Sequence, residues 1–108
     1  MVYTPSEIAN IVKPIAEKYA LRAVYLFGSY ARGDATETSD IDLLVDTDGS
    51  AIRGLFALGA LYCELEDALG KKLDLITLSS LEQPIQMPSE VYFRESVKRE
   101  RIELYAVA

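Results

Sequence analysis

Asp40 and Asp42 stand two residues apart in the run Ser39-Asp40-Ile41-Asp42-Leu43-Leu44-Val45-Asp46. Strand side chains alternate faces, so both carboxylates point the same way from Cα atoms about 6.5 Å apart. Upstream, Val24-Tyr25-Leu26-Phe27 reads as a buried strand, ended by Gly28-Ser29 in a turn where backbone can approach a ligand closely. Ten residues lie between Ser29 and Asp40. Downstream, Asp74 sits between Leu73 and Leu75 in a third apolar run. If those leucines face a core, Asp74 faces the other side, where it can meet the Asp40/Asp42 pair. Three converging carboxylates with no histidine or lysine among them repel and raise one another's pKa. A bound cation removes that conflict, and an all-carboxylate donor set favours Mg²⁺ or Mn²⁺ over Zn²⁺. Gly28 and Ser29 then become a phosphate site, with backbone N–H groups at the start of a short helix and a serine hydroxyl. An isolated Asp-x-Asp would more simply be a strand cap and a solvated edge residue. The Gly-Ser turn upstream and the aspartate downstream favour a metal-held nucleotide.

Other residues around this stretch carry two readings. Arg32, one turn after Ser29, could reach the β- or γ-phosphate; pairing with Asp34 or Glu37 at the surface is an equal alternative. Ser39 either contacts nucleotide or caps the strand, the structural role being slightly favoured. Asp46, at a strand end, and Asp48, in a turn, are expected to be solvated. Lys98, Arg99 and Arg101 form the basic cluster, read as solvated groups near a helix C-terminus, where the dipole favours them.

The elements that must position these groups follow from pattern. Thr4-Pro5-Ser6-Glu7 has the form of a capping box opening a helix from Pro5 to Tyr19. Ile8, Ile11, Val12, Ile15 and Tyr19 form its apolar stripe, and Pro14 is expected to kink it. Strand Ala23–Phe27, a helical turn from Ser29 and strand Ile41–Asp46 come next. After the turn Thr47-Asp48-Gly49-Ser50, a helix is expected over 51–69, capped by Ser50 or Asp48 and ended by Gly70. Leu55, Leu58, Leu61, Tyr62 and Leu65 recur along it. Leu73–Leu78 reads as a strand, 79–88 as a loop, 90–99 as a helix and 102–107 as a last strand. Apolar residues from Leu81 to Met87 read as a loop folded onto the core, with an interface as the alternative. The order αβ(α)βαβαβ gives an α/β (α+β) fold: a mixed β-sheet with flanking helices.

With 108 residues, the chain suits one domain over 1–108. Half of it is apolar and 26% is charged, which is compatible with a packed core. A net charge of −6 argues against a general nucleic-acid binder. The single cysteine, Cys63, cannot form an intramolecular disulfide and is expected to be a buried thiol in its apolar helix. No signal peptide and no membrane-spanning run are visible, so a cytoplasmic protein is expected. The absence of histidine removes the commonest general base and zinc ligand.

The segment GSYARGDATETSDIDLLVD resembles the signature of the DNA polymerase β-type nucleotidyltransferase superfamily. More closely, it is similar to the minimal nucleotidyltransferase (MNT) group. KPIAEKYALRAVYLFGSYARG, KKLDLITLSSL and SVKRERIELYAV extend the likeness over nearly the whole chain. The resemblance implies a polymerase β-like core in which Asp40, Asp42 and Asp74 bind two Mg²⁺ ions. Gly28 and Ser29 would hold the phosphates of ATP, which is the substrate. It also implies an antitoxin paired with a HEPN-domain RNase toxin, to a tyrosine of which AMP is transferred. Two alternatives stand beside this: neutralisation of the partner by binding alone, and transfer to a small-molecule hydroxyl.

Overall fold

Thr4 opens the first helix with a reciprocal cap. Its Oγ1 accepts from the Glu7 N–H at 3.1 Å, and Glu7 Oε1 accepts from the Thr4 N–H at 2.8 Å. The computed structural model describes residues 2–82 and 88–107. In chain order it contains α1 (Pro5–Lys18), β1 (Ala23–Phe27), α2 (Ser29–Arg32), β2 (Ile41–Asp46), α3 (Gly54–Leu69), β3 (Leu73–Thr77), a 3₁₀ turn (Leu78–Glu82), α4 (Pro88–Glu100) and β4 (Ile102–Ala106). α1 continues past Pro14 to Lys18 as one helix.

The strands form one mixed sheet in the order β3-β2-β1-β4. β1 is antiparallel to both β2 and β4, while β2 and β3 are parallel and joined through α3. A parallel pair needs such a crossover, which explains why a 16-residue helix lies between them. Alternation then divides the side chains. Val24, Leu26, Ile41, Leu43, Val45 and Leu73 pack under α1 and α3, against Ile8, Val12, Leu61, Leu65 and Leu69. On the opposite face Phe27 and Leu44 meet Val97 of α4, with Tyr25, Ile76, Leu78 and Leu81 around them. The mixed sheet with flanking helices is as expected. Leu81 packs on this second cluster, while residues 83–87 of the Leu81–Met87 stretch lie outside the described residues.

Two expectations for α3 need correction. The helix begins at Gly54, not at residue 51, and its N-cap Arg53 makes no side-chain capping bond. Ser50 Oγ instead accepts from the Ile52 N–H at 3.0 Å, and the Ala51 N–H donates to the Tyr19 carbonyl at 3.0 Å. These bonds hold residues 50–52 in a turn against the end of α1. Leu55, in the first helical turn, is 86% exposed despite its place in the stripe. Cys63 is exposed rather than buried. It lies two residues from both Leu61 and Leu65, about 200° around the helix from the face they bury.

Candidate active site

Register brings the carboxylates together. Asp42 is paired with Phe27 on β1 and with Asp74 on β3, so the two aspartates are direct neighbours across the parallel ladder. Leu73 and Leu75 pack into the main core, which turns Asp74 to the face carrying Asp42. Asp40 precedes β2 at the same alternation. Burial, above all, raises the Asp42 pKa to about 6, helped by a hydrogen bond and charge from Asp74 and by the charge of Asp40. The Arg32 guanidinium opposes the rise.

Gly28 forms the wall of this site. Its φ of 75° and ψ of −153° lie outside the regions open to residues with a Cβ. A Cβ there would also collide with the Asp42 carboxyl group, standing only 3.0 Å from Cγ. The glycine is thus required both by backbone conformation and by close approach. The Gly28 carbonyl accepts from the Ala31 and Arg32 N–H groups at 3.1 and 3.0 Å, winding α2. Gly33, in the left-handed region, closes that helix by donating to the Ser29 carbonyl at 3.0 Å. Tyr30, 3% exposed, anchors α2 in the main core.

A cleft of about 340 Å³ opens beside these residues, with Gly28, Ser29, Arg32 and Asp42 on one side and Phe93 and Glu100 of α4 on the other. Arg32 takes the surface alternative and more: Nε donates to Asp34 at 3.4 Å and Nη1 donates to Glu100 at 3.2 Å. It nevertheless lines the cleft. Ser39 stands apart, its Oγ accepting from the Thr36 N–H at 2.9 Å within the turn before β2. Asp48 is solvent-exposed as expected, but Asp46 is largely covered, with Arg22 pairing to both at 3.8 and 3.0 Å. A larger cavity of about 580 Å³ lies at the far end of β1, where Arg22 already pairs with both Asp46 and Asp48. Arg101 stacks on the Tyr25 ring at 4.4 Å instead of standing free.

The wall supplied by α4 is what sequence reasoning missed. Phe93 meets Phe27 edge-on, with ring centroids 6.1 Å apart. Glu100 ends its helix with a negative charge, where the dipole disfavours one. That local mismatch was the available signal.

Among the described residues no three carboxylates close into a ready-made metal cage. The donor set nonetheless fits a hard divalent ion. Asp42 and Asp74 are neighbours across the parallel ladder, and Asp42 lines the cleft, where phosphate oxygens and water could complete the coordination. Mg²⁺ is usually bound by one or two carboxylates with such outside ligands rather than by an all-protein cage.

Residues 7–104 match the nucleotidyltransferase domain family. The chain belongs to this family. A Methanocaldococcus jannaschii relative, provisionally named a protein adenylyltransferase, is 38% identical over 103 residues, covering 92% of this chain and 96% of the relative. Protein adenylyltransferase MntA of Thermococcus cleftensis is 40% identical over 86 residues, covering 76% and 85%. Among solved structures, the fold is similar to a complex of tri-AMPylated Shewanella oneidensis HEPN toxin with MNT antitoxin. That match has a TM-score of 0.63 at 22% identity and covers 96% of this chain and 74% of the other. The resemblance to minimal nucleotidyltransferases read from the Gly-Ser and Asp-x-Asp motifs is borne out, and the chain is a nucleotidyltransferase.

Proposed function

We propose that this chain is a Mg²⁺-dependent protein adenylyltransferase that moves AMP from ATP to a tyrosine of a HEPN-type toxin and so acts as its antitoxin. The observation that carries the reading is the Asp42–Asp74 pairing across parallel strands, directly beside the Gly28 turn. The names of the two relatives and the toxin–antitoxin complex supply the acceptor class.

In this reading Asp40 and Asp42 would hold Mg²⁺, two ions in all, and Asp74 would complete the catalytic metal site. When bound, such ions neutralise phosphate charge and lower the pKa of an oxygen nucleophile. The N–H groups that begin α2 and the Ser29 hydroxyl receive the phosphates, because the first turn of a helix leaves its donors without intrahelical partners. Arg32, in the cleft wall, would reach the β- or γ-phosphate. The tyrosine oxygen attacks the α-phosphorus in line, the bond to the pyrophosphate oxygen breaks, and the phenolic proton passes to Asp74. The product is an aryl phosphodiester whose charge and bulk would block an RNA site.

Incubation with a HEPN protein encoded beside this chain, Mg²⁺ and labelled ATP separates the chemistries. Label at the α-phosphate should appear on the partner and label at the γ-phosphate should not, with the modified tyrosine located by tandem mass spectrometry. Transfer of the γ label would mean phosphorylation and overturn the proposal.

A further inference from the structure

Glu100 and Arg32 are 68 residues apart in sequence, yet their side chains meet at 3.2 Å in the wall of the cleft. Glu100 is the last residue of α4, at the negative end of that helix, a position where a carboxylate is disfavoured. Its side chain is 28% exposed, so it is held rather than waving in solvent. Arg32 ends α2, the helix that begins at Ser29. Asp34 holds the same guanidinium through Nε at 3.4 Å. Two carboxylates thus grip Arg32 through Nε and Nη1, and among the described residues none bonds to Nη2, whose donors suit a further anion. A guanidinium fixed in this way loses less freedom on forming new hydrogen bonds than a mobile one.

We infer that Glu100 is a positioning residue for nucleotide binding: it buttresses Arg32 so that the guanidinium meets the polyphosphate tail already oriented. The inference rests on the reading of Arg32 as a phosphate contact. Glu100 touches neither the nucleotide nor the reacting atoms; it acts through Arg32. The contact also links α4 and the adjoining β4 to the phosphate side of the cleft, across the space that the nucleotide enters.

The test is a double-mutant cycle read by binding, with no acceptor protein required. The dissociation constant of a non-hydrolysable ATP analogue with Mg²⁺ is measured for wild type, Arg32→Ala, Glu100→Ala and the double variant. AMP serves as the comparison ligand, since it lacks the tail. Loss of a hydrogen bond to a charged group corresponds to about tenfold in affinity. Glu100→Ala should therefore weaken the analogue by about five- to tenfold, leave AMP unchanged, and have no added effect on Arg32→Ala. Equal weakening of AMP and analogue would indicate a merely structural role and overturn the inference. So would an effect of Glu100→Ala that persists without Arg32. If Arg32→Ala weakens the analogue but Glu100→Ala does not, the phosphate role of Arg32 stands and the buttress fails. If Arg32→Ala itself is silent, the phosphate reading fails and takes the inference with it. Glu100→Gln, which keeps shape and one acceptor oxygen, replaces Glu100→Ala if that variant does not fold, with a smaller loss in the same direction expected.

Discussion

Asp42 keeps a proton up to about pH 6 because burial and two neighbouring carboxylates, Asp74 and Asp40, oppose its ionisation. In the unfolded chain the same group would titrate near about pH 3.9. Between those values the folded state binds more protons than the unfolded state, so this group's contribution to stability falls as pH rises through that window. Asp42→Asn removes the titration. Without divalent ions, the variant should gain melting temperature over wild type as pH is raised from below about 4 to above about 6; a pH-independent difference would contradict this account. Added Mg²⁺ should stabilise wild type and not the variant. Transfer should fall at least about 100-fold, since loss even of supporting groups at metal sites costs about 10–100-fold. Gly28 offers a second check. Gly28→Ala combines backbone strain of about 1–3 kcal/mol with a collision against Asp42, whereas Gly49→Ala has a φ of 69° but open space around it. Chemical denaturation should show the larger loss at Gly28. At this scale the sequence was informative where spacing carries geometry, as in the aspartates. For Glu100 it offered only the charge mismatch at a helix end, because Arg32, the partner that gives that residue meaning, is 68 residues away in the chain.

Elements divide into those whose role is packing and those that shape the cleft. Leu65 of α3 is fully enclosed in the main core, and Leu65→Ala should cost about 2–5 kcal/mol while leaving nucleotide affinity of the folded protein intact. Thr4→Ala breaks the cap of α1 and should cost about 1 kcal/mol, again without altering affinity. Thermal or urea unfolding measures both. The capping box, the strand alternation and Gly70 as the end of α3 were legible from local chemistry alone. The start of α3 was not. Ser50 and Ala51 bond within a turn and to the Tyr19 carbonyl, and that tertiary contact overrides the apolar pattern that favours an earlier helix. Cys63 shows the same limit: an apolar neighbourhood in sequence is not an apolar face on a helix.

At the scale of the molecule, the sheet has one face sealed by α1 and α3 and another that carries the aspartates, with α4 over part of it. In the proposed reading the acceptor approaches this second face. That acceptor is another protein, and a net charge of −6 would favour one with a basic surface around its tyrosine. The central claim is that neutralisation of the partner proceeds by transfer of AMP rather than by occlusion. The most direct measurement is intact mass of a HEPN partner after incubation with ATP, Mg²⁺ and either wild type or Asp40→Ala/Asp42→Ala. The account predicts a shift by whole AMP units with wild type and none with the double variant. An unmodified partner that is inhibited equally by both proteins would contradict it.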